Sequence, residues 1–183
     1  MTVKTTEIQD CFLIQPQIFG DERGYFFESY NEEKFNQATG LNIQFVQDNQ
    51  SYSTQGVIRG LHIQLGQYAQ AKLVRVLQGK VLDVAVDARK NSPTFGKIIC
   101  IELSAENQTQ LFIPRGCLHG FSVLSEDAIF QYKCDNYYNK ASESGVIFND
   151  RDLNIDWKIE ETNASISEKD RELNSWQNFI DKL

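Results

Sequence analysis

Short β-type runs of apolar residues recur along the chain, separated by turn-forming residues. Residues 11–14, 24–30, 43–46, 57–63, 73–77 and 81–86 form such runs, and the rhythm continues through 97–103, 110–113, 120–124 and 128–134. Side chains two apart share one face of a strand, so this spacing predicts an all-β sandwich or barrel. Gln78-Gly79-Lys80, between two runs, reads as a tight hairpin. Helical spacing is confined to residues 32–38, ending near Gly40, and to residues 169–183. In the second stretch Leu173, Trp176, Phe179 and Ile180 make an apolar stripe, so a C-terminal helix is expected to cap the barrel. Residues 157–164 read as an exposed polar connector. With no internal repeat or low-complexity segment, residues 1–183 are read as a single domain.

Composition changes little in that picture but narrows the partners. Apolar residues are 41% and charged residues 23% of the chain, ordinary globular usage that argues against disorder or a fibrous repeat. Eighteen Lys and Arg face 25 Asp and Glu, a formal charge of -7 that repels nucleic acid, so an anionic ligand must meet a local basic pocket. No apolar run approaches the roughly 20 residues that span a membrane, and no charged-then-apolar leader opens the chain. The cytoplasm is the expected compartment. Cys11, Cys100, Cys117 and Cys134 are scattered without a CxxC pair and are read as buried free thiols rather than reactive ones.

The chain has two histidines, His62 in Arg59-Gly60-Leu61-His62-Ile63-Gln64 and His119 in Pro114-Arg115-Gly116-Cys117-Leu118-His119. The latter, PxGxxH, resembles the second motif of cupin barrels. Metal-binding cupins usually carry His-x-His in the first motif, but here Gln64 replaces the second His, leaving at most two imidazoles, a poor set for a first-row metal. No metal site and no cofactor are read. His62 and Gln64 share a face, as do Lys72, Val74 and Val76, and as do Phe130, Tyr132 and Cys134. A lysine on that apolar face either meets an anion or sits solvated at a strand end. Tyr132 has the ordinary reading of a core ring with its hydroxyl at the rim. Arg59, three residues from His62, faces the opposite way unless Gly60 makes a bulge. Asp83 and Asp87 could pair for acid and base work, but a satisfied Asp83 and a turn-end Asp87 are the preferred reading.

An ordered set of runs resembles the dTDP-4-dehydrorhamnose 3,5-epimerase family. It begins with Gly20-Asp21-Glu22-Arg23-Gly24-Tyr25-Phe26-Phe27-Glu28-Ser29, Phe45-Val46-Gln47-Asp48-Asn49, Arg59-Gly60-Leu61-His62 and Lys72-Leu73-Val74-Arg75-Val76. Ser92-Pro93-Thr94-Phe95-Gly96-Lys97, His119-Gly120-Phe121, Tyr132-Lys133-Cys134 and Ser167-Glu168-Lys169-Asp170 follow in order. The resemblance implies a cupin-type jelly-roll β-barrel with short peripheral helices. It also implies inversion of dTDP-4-dehydro-6-deoxy-D-glucose at C3 and C5, to dTDP-4-dehydro-L-rhamnose, by proton removal and return. By the family's pattern His62 is the base, Asp170 orients its ring, Tyr132 is the opposing acid, and Lys72 sits by the C4 oxygen, where its charge would also help a nearby tyrosine ionise. Arg23, Phe26, Glu28, Gln47, Asn49, Arg59, His119, Glu143 and Lys169 match its substrate-binding positions. The strand bearing Arg23 and Glu28 is expected to reach into a neighbouring subunit, making a homodimer. Cys117-Leu118 stands where the family usually has Phe-Ala. Two other readings fit the same frame: a single-centre epimerase or 3,4-ketoisomerase on a related 4-keto nucleotide sugar, and a non-catalytic cupin that binds a nucleotide sugar.

Overall fold

Two long antiparallel strands organise the molecule, as seen in a computed structural model covering residues 1–183. The strands are β1 (Thr2–Thr5), β2 (Phe12–Gln15), β3 (Phe19–Asp21), β4 (Gly24–Phe26), β5 (Gln47–Thr54), β6 (Ile58–Gln64), β7 (Lys72–Asp87), β8 (Ile98–Ser104), β9 (Gln110–Ile113), β10 (Cys117–Cys134) and β11 (Glu143–Gly145). The first half of β7 pairs with β9 and the second half with β8, while β10 exchanges β6 for β5 along its length. The two long strands therefore pass through both layers of the barrel. One layer runs β1-β2-β9-β7-β10-β5 and the other β8-β7-β10-β6-β11. This is the two-layer jelly roll that the cupin-type resemblance implies.

The apolar alternation sorts side chains among three cores. Val74, Val76, Val81 and Ala85 of β7 meet Phe121, Val123, Ala128 and Phe130 of β10 between the layers. The alternate residues Leu82, Val84 and Val86 face outward and are covered by Trp157, Trp176 and Phe179. Helix α1 (Glu32–Thr39) covers the outside of the other layer, packing Phe35 edge-on to Phe112 at 5.3 Å. Asn31 caps its start by accepting from the Lys34 N–H, and Gly40 ends it in the left-handed conformation.

Several expectations need correction. Gln78-Gly79-Lys80 is not a hairpin; Gly79 is a bend within β7, at φ +74°, where Ser125 Oγ accepts from the Lys80 N–H at 2.7 Å. Both flanking runs pair with β10, so the strand changes layer instead of reversing. The C-terminal helix is broken into α2 (Glu168–Arg171) and α3 (Trp176–Ile180). Asn174 bridges to Val146 and its carbonyl accepts from the Ile147 N–H, so the intervening backbone bonds the barrel rather than itself. Trp157, expected in an exposed connector, is buried and donates Nε1–H to the Phe148 carbonyl at 2.7 Å. Cys100 is an exposed thiol, sharing a face with exposed Glu102 on the edge strand β8; the other three cysteines are buried and none is paired. The run 24–30 is strand only over β4, and β5 lies just after the run 43–46, in polar sequence that carries no apolar alternation.

Candidate active site

The barrel opens onto a cavity of about 580 Å³ lined by Arg59, His62, Lys72, His119, Tyr132 and Asp170, among others. A smaller adjoining cavity of about 140 Å³ shares His62, Lys72 and Tyr132 and adds Gln47, Asn49 and Glu143. The three shared residues come from β6, β7 and β10, which lie side by side in the sheet. His62 and His119 are direct cross-strand partners between β6 and β10.

A bulge brings Arg59 to the same cavity as His62. Between the pairs His119↔His62 and Phe121↔Arg59, β6 advances one residue more than β10. Gly60 at φ +114° makes this possible, since a Cβ there would lie 2.7 Å from Gly120 Cα and from the His119 carbonyl oxygen. Arg59 donates from Nε to Ser53 Oγ at 3.0 Å.

The C-terminal segment closes the mouth. Ser165 exchanges backbone bonds with Gly56 and Ile58, laying the chain along β6 and delivering α2 to the rim. Ser167 caps α2 by accepting from the Asp170 N–H at 3.1 Å. The buried Asp170 then accepts from the Gly60 N–H through Oδ2 at 3.2 Å and meets His62 Nε2 through Oδ1 at 2.8 Å. Burial works to raise the Asp170 carboxyl, but the bonds from His62, Gly60 and Ser167 outweigh it and hold the group below the usual carboxylate range. A carboxylate can only accept, so His62 presents Nε2–H to it and keeps the Nδ1 lone pair for other work.

Tyr132 makes no hydrogen bond to protein, and the Lys72 ammonium lies 5.6 Å from its ring centroid. The expected effect of Lys72 on tyrosine ionisation is corrected here. Burial raises the Tyr132 phenol, Cys134 and Glu143 add to the rise, and the cation that opposes it is Arg59. The phenol therefore stays protonated and can donate. Lys72 is lowered from the usual lysine range by burial, with Cys134, Asp83 and Glu143 acting the other way.

Other sequence-derived residues gather around this centre. Lys169 pairs with Glu143 at 2.6 Å, and burial of Glu143 is outweighed by bonds from Lys169 and Tyr138 that lower its carboxyl. Asn49 accepts from Gln47 Nε2 at 3.0 Å and donates toward the Cys134 sulfur. His119 is buried, with Nε2 at 3.0 Å from Asp83 Oδ2. Burial lowers His119, against the opposing pull of Asp83, so its ring is neutral near pH 7. Tyr138, which the sequence reading leaves out, belongs here, donating to Glu143 Oε2 at 2.8 Å and lining the smaller cavity; Asp83, read from the sequence as satisfied, joins the site through His119. Tyr138 lies in an irregular stretch with no periodic signal.

Arg23, Phe26 and Glu28 are not brought to this cavity within the chain. Arg23 and Phe26 belong to an exposed hairpin, β3–β4, whose Tyr25 and Phe26 are 64% and 69% accessible, and Glu28 lies just beyond it. Arg23 there pairs with Asp21, and Glu28 with Lys34.

A base with a free ring nitrogen, a protonated phenol and an ammonium group around one cavity can remove a proton beside a carbonyl, hold the resulting oxyanion and return a proton. Comparison with known proteins agrees with that chemistry. The family model for dTDP-4-dehydrorhamnose 3,5-epimerase matches residues 5–178. A dTDP-4-dehydrorhamnose 3,5-epimerase of Shigella flexneri is 52% identical over 181 residues, 99% of this chain and 97% of the relative. The crystal structure of dTDP-4-dehydrorhamnose 3,5-epimerase from Elizabethkingia anophelis NUHP1 is 58% identical, with a TM-score of 0.94 over 97% of each chain. That of dTDP-6-deoxy-D-glucose-3,5-epimerase from Legionella pneumophila Philadelphia 1, in complex with dTDP-4-keto-L-rhamnose, is 46% identical, with a TM-score of 0.91 over 95% of this chain and 92% of that one.

Proposed function

The chain belongs to the dTDP-4-dehydrorhamnose 3,5-epimerase family, and from that premise we propose how its own residues carry the reaction. The enzyme is an isomerase of dTDP-L-rhamnose biosynthesis that inverts C3 and C5 of dTDP-4-dehydro-6-deoxy-D-glucose. Both carbons flank the C4 ketone, so the C–H electron pair released at either one moves into the carbonyl as an enolate. His62 Nδ1 takes the proton, and Asp170 steadies the imidazolium that forms. Lys72 carries the charge that develops on the C4 oxygen. Tyr132 gives its phenolic proton to the other face of the carbon, which inverts the centre. The second carbon follows by the same steps once both groups have re-equilibrated with solvent.

The observation that carries this reading is the 2.8 Å contact of His62 Nε2 with Asp170 Oδ1, at a cavity that Tyr132 and Lys72 also line. Arg59, His119, Gln47, Asn49, Glu143 and Lys169 would hold the nucleotide sugar, with the Arg59 guanidinium suited to forked bonds with the diphosphate. The exposed aromatic hairpin supports a homodimer in which Arg23, Phe26 and Glu28 complete the partner's site. Residues 1–183 act as a single domain in this reading. The four unpaired cysteines favour a reducing, cytoplasmic setting.

Incubation with the 4-keto-6-deoxy nucleotide sugar in deuterated water tests the reading. Deuterium at both C3 and C5 of the L-lyxo product is expected. Label at one carbon only would overturn the double inversion, and undiminished exchange in His62→Ala would overturn the assignment of the base.

A further inference from the structure

Asp83 lies wholly inside the barrel at 0% exposure, between Val81 and Ala85 on the inward face of β7. One of its oxygens is accounted for, since Oδ2 meets His119 Nε2 at 3.0 Å. The other is not. Oδ1 is buried without any hydrogen-bond partner in the protein. A carboxylate oxygen withdrawn from water without a donor is costly, and such a group is retained where its charge has a use.

The inward face of β7 also carries the complementary anomaly. Lys72 lines the cavity, yet its ammonium forms no hydrogen bond or ion pair with the protein. The other cations of the cavity are engaged: Arg59 donates to Ser53 and the Tyr52 carbonyl, and Lys169 pairs with Glu143. Asp83 is among the acidic groups whose charge acts on Lys72, and Lys72 in turn acts on His119. The three residues thus form one electrostatic cluster in which a donor-rich group and an acceptor oxygen both lack partners.

We propose that Asp83 is a positioning residue for the epimerisation: Oδ2 fixes the His119 ring, and Oδ1 is the acceptor toward which the Lys72 ammonium is held, keeping it charged and beside the ketone oxygen. This rests on the reading of Lys72 as the group that carries the C4 oxyanion. The fixed His119 tautomer has Nε2–H on Asp83, which leaves Nδ1 as the acceptor of that ring. Lys72 shares its cavities with His62 on β6, His119 and Tyr132 on β10 and Glu143 on β11, and pairs across strands with Cys134, while Asp83 lies further along its own strand. Of these, Cys134, Asp83 and Glu143 favour the charged ammonium against its burial. Removing the Asp83 charge lowers Lys72 further, so activity is lost at a lower pH.

Asp83→Asn keeps the shape and an oxygen for His119 but removes the charge. The alkaline limb of kcat/KM is expected to move down by about one pH unit, which is about a tenfold loss on that limb. Lys72→Arg in the Asp83→Asn background is expected to flatten the limb, because a guanidinium stays protonated throughout. An unmoved limb, or a loss of equal size at every pH, would overturn the proposal. Wild-type protein gives a test that does not depend on the variant folding: the ε-15N signal of Lys72, assigned by its disappearance in Lys72→Arg. Hydrogen exchange slower than that of surface lysines is expected, and exchange as fast as theirs would overturn the proposal. If the wild-type protein instead leaves the sugar unlabelled in deuterated water, the catalytic reading itself fails, whatever the signal of Lys72 does.

Discussion

Asp170 grips β6 at two points, meeting His62 Nε2 at 2.8 Å with one oxygen and the Gly60 N–H at 3.2 Å with the other. One carboxylate on a single-turn helix thereby fixes both the imidazole and the bulge that brings Arg59 to the same cavity as His62. The grip fixes a tautomer as well as a position. In Asp170→Asn the side-chain amide can donate to Nε2, which moves the ring proton to Nδ1 and removes the base. A fall in kcat of about 10²–10⁴ is expected, with KM changed far less. Steady-state kinetics check this, and a variant within threefold of wild type would refute the orientation role.

Tyr132 gives its hydroxyl to no protein acceptor, so Tyr132→Phe removes a proton donor without leaving a buried partner stranded. Stability is expected to change by less than about 0.5 kcal/mol. His62 can still exchange protons on its own face, so label from deuterated water should enter the substrate while inversion falls by at least about 10². Product stereochemistry by NMR separates the two processes. Inversion at the wild-type rate would remove Tyr132 from the mechanism.

Lys72 is desolvated, and the acidic groups near it, Asp83 among them, offset only part of that cost, which folding bears and catalysis uses. Lys72→Met should therefore raise the unfolding free energy by about 1–2 kcal/mol while lowering kcat by about 10²–10³. Urea denaturation and initial rates on the same sample test the opposed signs. A Met variant that is both less stable and nearly as active would contradict the assignment.

The exposed hairpin with Arg23 and Phe26 calls for complementation. His62→Ala damages the barrel and Arg23→Ala the hairpin, so each homodimer should be impaired. In the proposed homodimer, a mixed pair contains one site with His62 from one chain and Arg23 from the other. Unfolding and refolding an equal mixture should restore about a quarter of wild-type activity, because half the dimers are mixed and each has one intact site. If mixing restores nothing, the hairpin does not serve the neighbouring site.

Asp87 anchors the loop after β7, accepting from Arg89 Nε and Nη2 at 2.8 Å and from the Ser92 and Thr94 hydroxyls at 2.6 Å. Burial alone would raise this carboxyl, but these bonds bring it down to about 2. A folded-state value below the unfolded one of about 3.9 gives stability that is complete above about pH 4 and lost as pH falls through 2. It amounts to about 2–3 kcal/mol. Between pH 7 and pH 2, wild type should lose about 2 kcal/mol more than Asp87→Asn, measured by urea unfolding. Parallel losses in the two proteins would show that the anchor contributes no acid sensitivity.

The groups most legible in the sequence were those carried by local runs. His62, Lys72, Tyr132 and Asp170 each stand in a short motif, and all four line one cavity. Asp83 was misjudged as satisfied because its unpartnered oxygen is a fact about neighbours far along the chain. Its distance from Lys72 is also misleading. Eleven residues is an odd number, which on a regular strand puts two side chains on opposite faces. The pairing Phe130↔Val76 followed by Ile129↔Gln78 inserts Leu77 as an extra residue and restores the common face.

The sequence by itself determined the strand-rich class and the α1 helix ending near Gly40, and its resemblance to the family singled out the candidate acid, base and cation. Periodicity and side-chain chemistry are properties of neighbouring residues, so they survive without a fold. Tertiary structure alone decided that β7 continues through Gly79, that the last helix breaks at Asn174 to bond the barrel, and that Asp170 meets His62 across 108 positions. Each of these depends on backbone hydrogen-bonding groups or buried charges finding partners from distant segments, and only the closed barrel brings such segments within bonding distance.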